Sequence, residues 1–130
     1  MSREILQPAG WARPRGYANG VAAEGRQVFV SGQIGWDAEQ RFVSDDFAAQ
    51  ARQALANVVA VLACAGAKPA DLVRLTWYVT SRDEYNAALA GVSAAYRELV
   101  GRHFPAMSVV VVAGLLEPRA KVEIEATAVV

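Results

Sequence analysis

Val73-Arg74-Leu75-Thr76-Trp77-Tyr78-Val79-Thr80 decides the fold. Val73, Leu75, Trp77 and Val79 fall on one side of an extended chain, and Arg74, Thr76, Tyr78 and Thr80 on the other. Such alternation predicts a strand with one buried and one polar face. Ser81-Arg82-Asp83-Glu84 follows at once, a serine and a glutamate three apart that can each satisfy a free backbone N–H at a helix start. Tyr85, Leu89, Val92, Tyr96 and Leu99 continue at helical spacing until Gly101 ends the run. A strand leading into an amphipathic helix is half of a two-layer unit.

The flanking segments extend this reading in both directions. Upstream, Ser44 is expected to cap a helix whose first turn holds Asp45 and Asp46, where the helix dipole favours negative charge. Phe47, Ala51, Leu55, Val58 and Leu62 form its apolar face, Gly66 suits a left-handed end, and Pro69 prevents continuation. Earlier still, Tyr17 to Ala23 and Gln27 to Gly32 predict a hairpin turning at Glu24-Gly25-Arg26. The residues through Arg15, with Pro8 and Pro14, are expected to be an irregular arm, and Gln33 to Val43 a loop. Downstream, Met107 to Ala113 is nearly all apolar, and in Ala120 to Val130 the residues Val122, Ile124, Ala126 and Ala128 alternate with Lys121, Glu123, Glu125 and Thr127. The predicted order is hairpin, helix, strand, helix, strand, strand. This is an α+β domain, a mixed sheet with two helices on one face. Because the strand from Met107 is apolar on both sides, the other sheet face needs cover that one two-layer domain cannot supply.

At 130 residues the chain is expected to be a single domain, 1–130. Thirteen basic and thirteen acidic residues leave no net charge, so no basic block exists to neutralise phosphates and nucleic acid is not an expected partner. Hydrophobic residues at 54% leave apolar surface for burial between subunits. A single cysteine, Cys64, cannot form an internal disulfide, which fits a reducing compartment, and it is expected to be buried and inert. The opening residues carry no long apolar stretch, and no apolar run is long enough to span a bilayer, so a cytoplasmic protein without membrane partners is expected. Neither metal nor cofactor is expected, for want of a ligand cluster, a nucleophile elbow or a phosphate loop. His103 stands alone before Phe104-Pro105 and is expected to be a loop residue.

Four segments then point to one family. They are Gly16-Tyr17, Ser31-Gly32-Gln33-Ile34, His103-Phe104-Pro105-Ala106-Met107-Ser108 and Lys121-Val122-Glu123-Ile124-Glu125-Ala126-Thr127-Ala128. Together they resemble the RidA family, also called YjgF or L-PSP, along nearly the whole chain. The resemblance implies a chorismate-mutase-like domain, three copies of which pack their sheets into a barrel-like homotrimer. It also implies a small-molecule site in the cleft between subunits.

In members that hydrolyse imines and enamines, an arginine follows the Pro-Ala pair and clamps a substrate carboxylate through two charge-assisted hydrogen bonds. Here that position is Met107, which offers no donor and suits an apolar wall. Arg74, Arg102 and Arg119 are expected on the solvated surface instead. By the same resemblance Glu123 is the catalytic candidate, positioning or protonating a water. A partly buried carboxyl group can act as a general acid near neutrality. Glu125, on the same strand face, is the lesser candidate. Tyr17 is implied to stack on a planar ligand and donate its hydroxyl, and the glycine of Ser31-Gly32 either lets backbone approach the ligand closely or marks a bulge. Ser93 stands where deaminating members carry asparagine, and Val109 where cysteine is frequent. Three functions follow. The first is hydrolysis of a reactive imine or enamine other than the usual amino-acid-derived ones. The second is non-catalytic ligand binding or sensing, and the third an endoribonuclease or translation inhibitor.

Overall fold

The structure is a computed structural model and describes residues 3–130. Its elements are β1 (Arg3–Leu6), β2 (Gly20–Ala23), β3 (Gln27–Gln33), α1 (Phe47–Cys64), β4 (Leu72–Val79), α2 (Arg82–Ala87), α3 (Leu89–Leu99), β5 (Ala106–Val111) and β6 (Val122–Val129). The two cleanly alternating segments, β4 and β6, lie side by side at the centre of a four-stranded sheet ordered β3-β6-β4-β5. β6 runs antiparallel to both its neighbours, while β4 and β5 run parallel, joined by α2 and α3 as a parallel pair requires. Both main helices cover one face. Leu75, Trp77 and Val79 of β4 and Val122, Ile124 and Ala126 of β6 bury against Leu55, Val58 and Leu62 of α1 and Val92 and Tyr96 of α3. The expected α+β architecture with a mixed sheet is the observed one.

α1 is long and apolar enough by length and composition to cross a membrane. Its buried stripe, from Phe47 through Leu55 to Leu62, packs on the sheet, so it is the core helix of the domain. Gln50 on that stripe is wholly enclosed yet satisfied. Its amide donates to the carbonyls of Ser44 (2.9 Å) and Arg119 (3.1 Å) and accepts from the Lys121 N–H (2.8 Å), tying the start of α1 to the entry of β6.

Several local expectations give way to tertiary packing. The hairpin of Tyr17–Ala23 with Gln27–Gly32 does not form. β2 pairs with β1 instead, Arg3 opposite Ala23 and Leu6 opposite Gly20, while β3 pairs with β6. Arg26 and Val130 exchange both backbone hydrogen bonds (2.6 and 2.9 Å), and Val30 gains a buried place beside β6 that a local hairpin cannot offer. The expected arm is therefore partly a strand, held as the Arg3 guanidinium donates to the carbonyls of Ala70 and Asp71; its first two residues lie outside the described ones. Ser44 does not cap α1. Asp46 does, accepting from the Ala49 N–H at 3.0 Å, and Ser44 Oγ braces it by accepting from the Asp46 N–H at 2.9 Å. Neither Asp45 nor Asp46 lies in the first turn.

The single helix expected after Ser81 is two, broken at Ala88 (φ −96°, ψ 3°). Ser81 Oγ does cap it, but the Glu84 carboxylate turns to Lys121 Nζ at 3.2 Å. Beyond the break α3 lies tight on α1, where a Cβ added at Gly91 would sit 2.9 Å from the Ala48 side chain. Cys64, expected to be buried, is exposed on the outer face of α1, with its thiol 3.6 Å from the Ala60 carbonyl.

Candidate functional site

The residues singled out in the sequence divide into two groups. The register of the sheet explains the division. Leu75 pairs with Met107, and Tyr78 pairs with Glu123. Leu75 and Tyr78 are an odd number of positions apart on one strand, so Met107 faces the helices and Glu123 faces the open side.

The first group gathers at the parallel edge of the sheet. Met107 and Ser93 line one cavity of about 640 Å³ between α3 and β5, together with Gly16. The Gly16-Tyr17 segment is brought there by Ala18, which is buried, donates its N–H to the Pro105 carbonyl (3.0 Å) and bridges to Ala106. Tyr17 itself, 42% exposed, lines an adjoining hollow that shares Arg102 and Phe104 with the larger cavity. One wall of the cavity is aromatic. Tyr96 and Phe104 stack with ring centroids 5.6 Å apart and planes 5° from parallel. Tyr96 Oη donates to the His103 carbonyl at 2.6 Å, His103 Nε2 is 2.7 Å from the Leu72 carbonyl, and the Gly101 N–H donates to the Tyr96 carbonyl at 3.1 Å, so the loop 101–104 is held at Gly101 and at His103. Burial pushes the Tyr96 phenol well above its ordinary range and raises Tyr85 in the same direction.

The second group sits on the open face. The β3 ladder shifts register between Val30 and Gln33, which takes Ser31 and Gly32 out of regular pairing opposite β6. The Glu123 side chain occupies the space this frees. A Cβ built on Gly32 would lie 2.4 Å from Glu123 Oε2 and 2.6 Å from Glu123 Cδ, so only glycine admits the carboxylate there. Glu125, two residues on, accepts a 2.5 Å hydrogen bond from Tyr78 Oη. That bond, then partial burial and the charges of Glu125 and Glu123, raise the Tyr78 phenol above its ordinary value. Glu123 has no hydrogen-bond or ion-pair partner among the described residues. The two carboxylates thus differ, with Glu125 engaged and Glu123 free.

Arg119 and Arg74 lie exposed as expected, Arg119 paired with Asp45 at 2.9 Å and stacked over Phe42. Arg102 is exposed too, but it lines both hollows around Met107 and Tyr17. Arg15 and Arg97 line the Met107 cavity with it, and sequence reasoning picked out neither. No spacing signal marks them, since they come from the arm, α3 and the following loop. Tyr78 was readable only as one of the polar-face residues of β4.

Comparisons with known proteins bear on the fold and the family. Residues 11–130 match the family described as Endoribonuclease L-PSP. The chain is 39% identical over 132 residues to the 2-iminobutanoate/2-iminopropanoate deaminase of Salmonella typhimurium, covering 99% of this chain and 98% of that protein. The enzyme of the same name from Escherichia coli K12 shows the same identity and coverage. Among solved structures, the Rid-family protein YyfB of Yersinia pestis superposes with a TM-score of 0.88 at 36% identity over the whole of both chains. The YjgF product of E. coli gives 0.68 at 40% identity over 87% of each. A mixed sheet with two main helices on one face is the fold these proteins share with it. The chain belongs to the RidA (YjgF/L-PSP) family.

Proposed function

We propose that this protein is a cytoplasmic homotrimer that hydrolyses a reactive imine or enamine in a cleft between neighbouring subunits, its substrate other than the usual amino-acid-derived ones. Water adds to the C=N carbon as a proton goes to nitrogen. The resulting carbinolamine then collapses, expelling ammonia and leaving a carbonyl compound. Glu123 takes the proton from the attacking water and returns it to the departing nitrogen, a general acid–base role. Tyr17 stacks on the planar C=N group, the Ser31-Gly32 backbone and Ser93 make polar contacts, and Met107 faces an apolar substituent.

The observation that carries this reading is the free Glu123 carboxylate, lodged where only Gly32 leaves room, beside a Glu125 already bound to Tyr78. The deaminase relatives at 39% identity support the reaction class. The division of the site residues between opposite sheet faces supports a site completed by a second copy. Glu123→Gln, which keeps size and removes acidity, is expected to lower turnover about 10²- to 10⁴-fold with the thermal melt unchanged. Imine generated by an amino-acid oxidase and trapped with semicarbazide measures it. Unchanged turnover would make Glu123 an ordinary strand residue and end this reading. Met107 favours a second one, a binder or sensor that uses the same cleft without turnover. Saturable ligand binding by wild type with no hydrolysis of any imine would establish it.

A further inference from the structure

The Met107 cavity is more cationic than the chain around it. The protein is neutral overall, yet three arginines line this cavity, Arg15, Arg97 and Arg102, and no aspartate or glutamate does. None of the three has an ion-pair partner among the described residues, whereas Arg41, Arg52 and Arg119 are each paired with a carboxylate. The same cavity is lined by the stacked rings of Tyr96 and Phe104 and by Trp77 and Met107. Trp77 is 2% exposed, and its indole N–H has no hydrogen-bond partner among the described residues. At about 640 Å³ the cavity falls in the range of sites for drug-sized ligands, far larger than a two- or three-carbon imine needs.

We infer that this cavity takes an aromatic 2-oxo or 2-imino acid, with the carboxylate on Arg102 and the ring against Tyr96, Phe104 and Met107. Arg102 is chosen over Arg15 and Arg97 because it alone of the three lines both the Met107 cavity and the Tyr17 hollow. Its loop is also fixed, since Gly101 donates its N–H to the Tyr96 carbonyl before Arg102 and His103 is bonded to Tyr96 Oη and the Leu72 carbonyl after it. A guanidinium there gives a carboxylate the forked contact that Met107 cannot. The methionine then becomes part of the specificity: an apolar wall admits a ring where a second cation would not. This inference deepens the reading of the site as an imine-hydrolysing cleft, and it names the substrate class of that same site.

Calorimetry on the intact protein, with phenylpyruvate as probe and intrinsic tryptophan fluorescence as a second readout, tests it. Phenylpyruvate is expected to bind at least about tenfold more tightly than pyruvate, which lacks the ring, or phenylacetone, which lacks the carboxylate. Arg102→Gln is expected to weaken phenylpyruvate about 10- to 100-fold and leave phenylacetone unaffected. Arg82→Gln, an equal loss of charge on α2 away from the cavity, is expected to change nothing. Equal affinity for pyruvate and phenylpyruvate, or binding indifferent to Arg102→Gln, overturns the inference. Failure of the hydrolytic reading is distinguishable: Arg102-dependent binding of phenylpyruvate without turnover of any imine sinks the reaction and leaves the ligand class standing. Turnover that ignores Arg102→Gln does the reverse.

Discussion

The Met107 end of the molecule and the Glu123 end make opposite use of the same sheet. At the first, a parallel edge strand and two helices enclose a large aromatic hollow with loose cations at its mouth. At the second, a bulged strand and a central strand hold one carboxylate in a niche the size of a missing methyl group. The hollow can adapt to different ligands by moving arginine side chains. The niche cannot adapt, because backbone forms one of its walls. On the proposed reading, specificity falls to the adaptable end and proton transfer to the fixed end. Met107 and Ser93 line the adaptable end, whereas Glu123 and Gly32 meet at the fixed one.

If the two ends of a site come from different chains, complementation will show it. Glu123→Gln and a variant crippled only at the other end, Arg102→Gln, are each expected to be poorly active toward an aromatic imine. Unfolded and refolded together in equal amounts, they are expected to recover about one quarter of wild-type activity, because a quarter of the heterologous interfaces then join two intact halves. The recovered species should elute as three chains of 13.9 kDa, about 42 kDa together. A monomer at micromolar concentration, or no recovery on mixing, breaks the comparison at its root.

Gly32→Ala is a sharper probe of the fixed end. The added Cβ meets the Glu123 carboxylate, the far end of a side chain that can swing aside, so the fold is expected to survive. Turnover is expected to drop on the order of 100-fold, as displacement of a catalytic group by about 1 Å does. A melt unchanged and a rate unchanged would together show that the niche has no part in the chemistry.

At the adaptable end, Met107→Arg puts a guanidinium where the side chain now offers no donor. Wild type is expected to hydrolyse the imine derived from alanine poorly. The variant is expected to gain about 10- to 150-fold, the value of one charged bidentate contact expressed in the transition state. Aromatic substrates are expected to lose where the small one gains, since the guanidinium takes the place of the ring. Wild-type activity on the alanine-derived imine equal to that of a true deaminase would mean that Arg102 holds the small substrate as well as the aromatic one and that Met107 sets no preference between them.

Much of the fold was readable because β4 and β6 alternate and α1 and α3 carry one apolar stripe each, signals that depend only on which side is buried. The hairpin was misread because a glycine turn at Gly25 says where the chain bends and not which strand it then meets; β6, far downstream at Val122–Val129, competes for β3 and wins by burying Val30. The break at Ala88 left no mark in a run of helix-forming residues, since it arises where α3 settles on α1 at Gly91. The site divides in the same way. Glu123 and Gly32 were marked by motif, and the register joins them. Arg15, Arg97 and Arg102 come from three unrelated segments, so only the fold could bring them to one cavity.

The smallest expected effect tests whether the aromatic wall is as fixed as its hydrogen bonds suggest. Burial raises the Tyr96 phenol in the folded protein above its ordinary value of 10.0. A raised folded value means that the native state holds its proton where the unfolded chain gives it up. The contribution is therefore full below pH 10 and is lost as pH rises toward the folded value. Wild-type stability is expected to fall as pH climbs past about 10, measured by urea unfolding at a series of alkaline pH values. Tyr96→Phe removes the titrating group and the 2.6 Å bond to the His103 carbonyl. It is expected to cost about 1 kcal/mol at neutral pH, the net worth of an ordinary hydrogen bond, and to flatten the alkaline decline. The same variant is expected to loosen the loop 101–104, so phenylpyruvate should bind more weakly by a few-fold while Glu123-dependent turnover per bound substrate holds. An alkaline decline as steep in Tyr96→Phe as in wild type would place the titrating group elsewhere, with Tyr85 the next to examine.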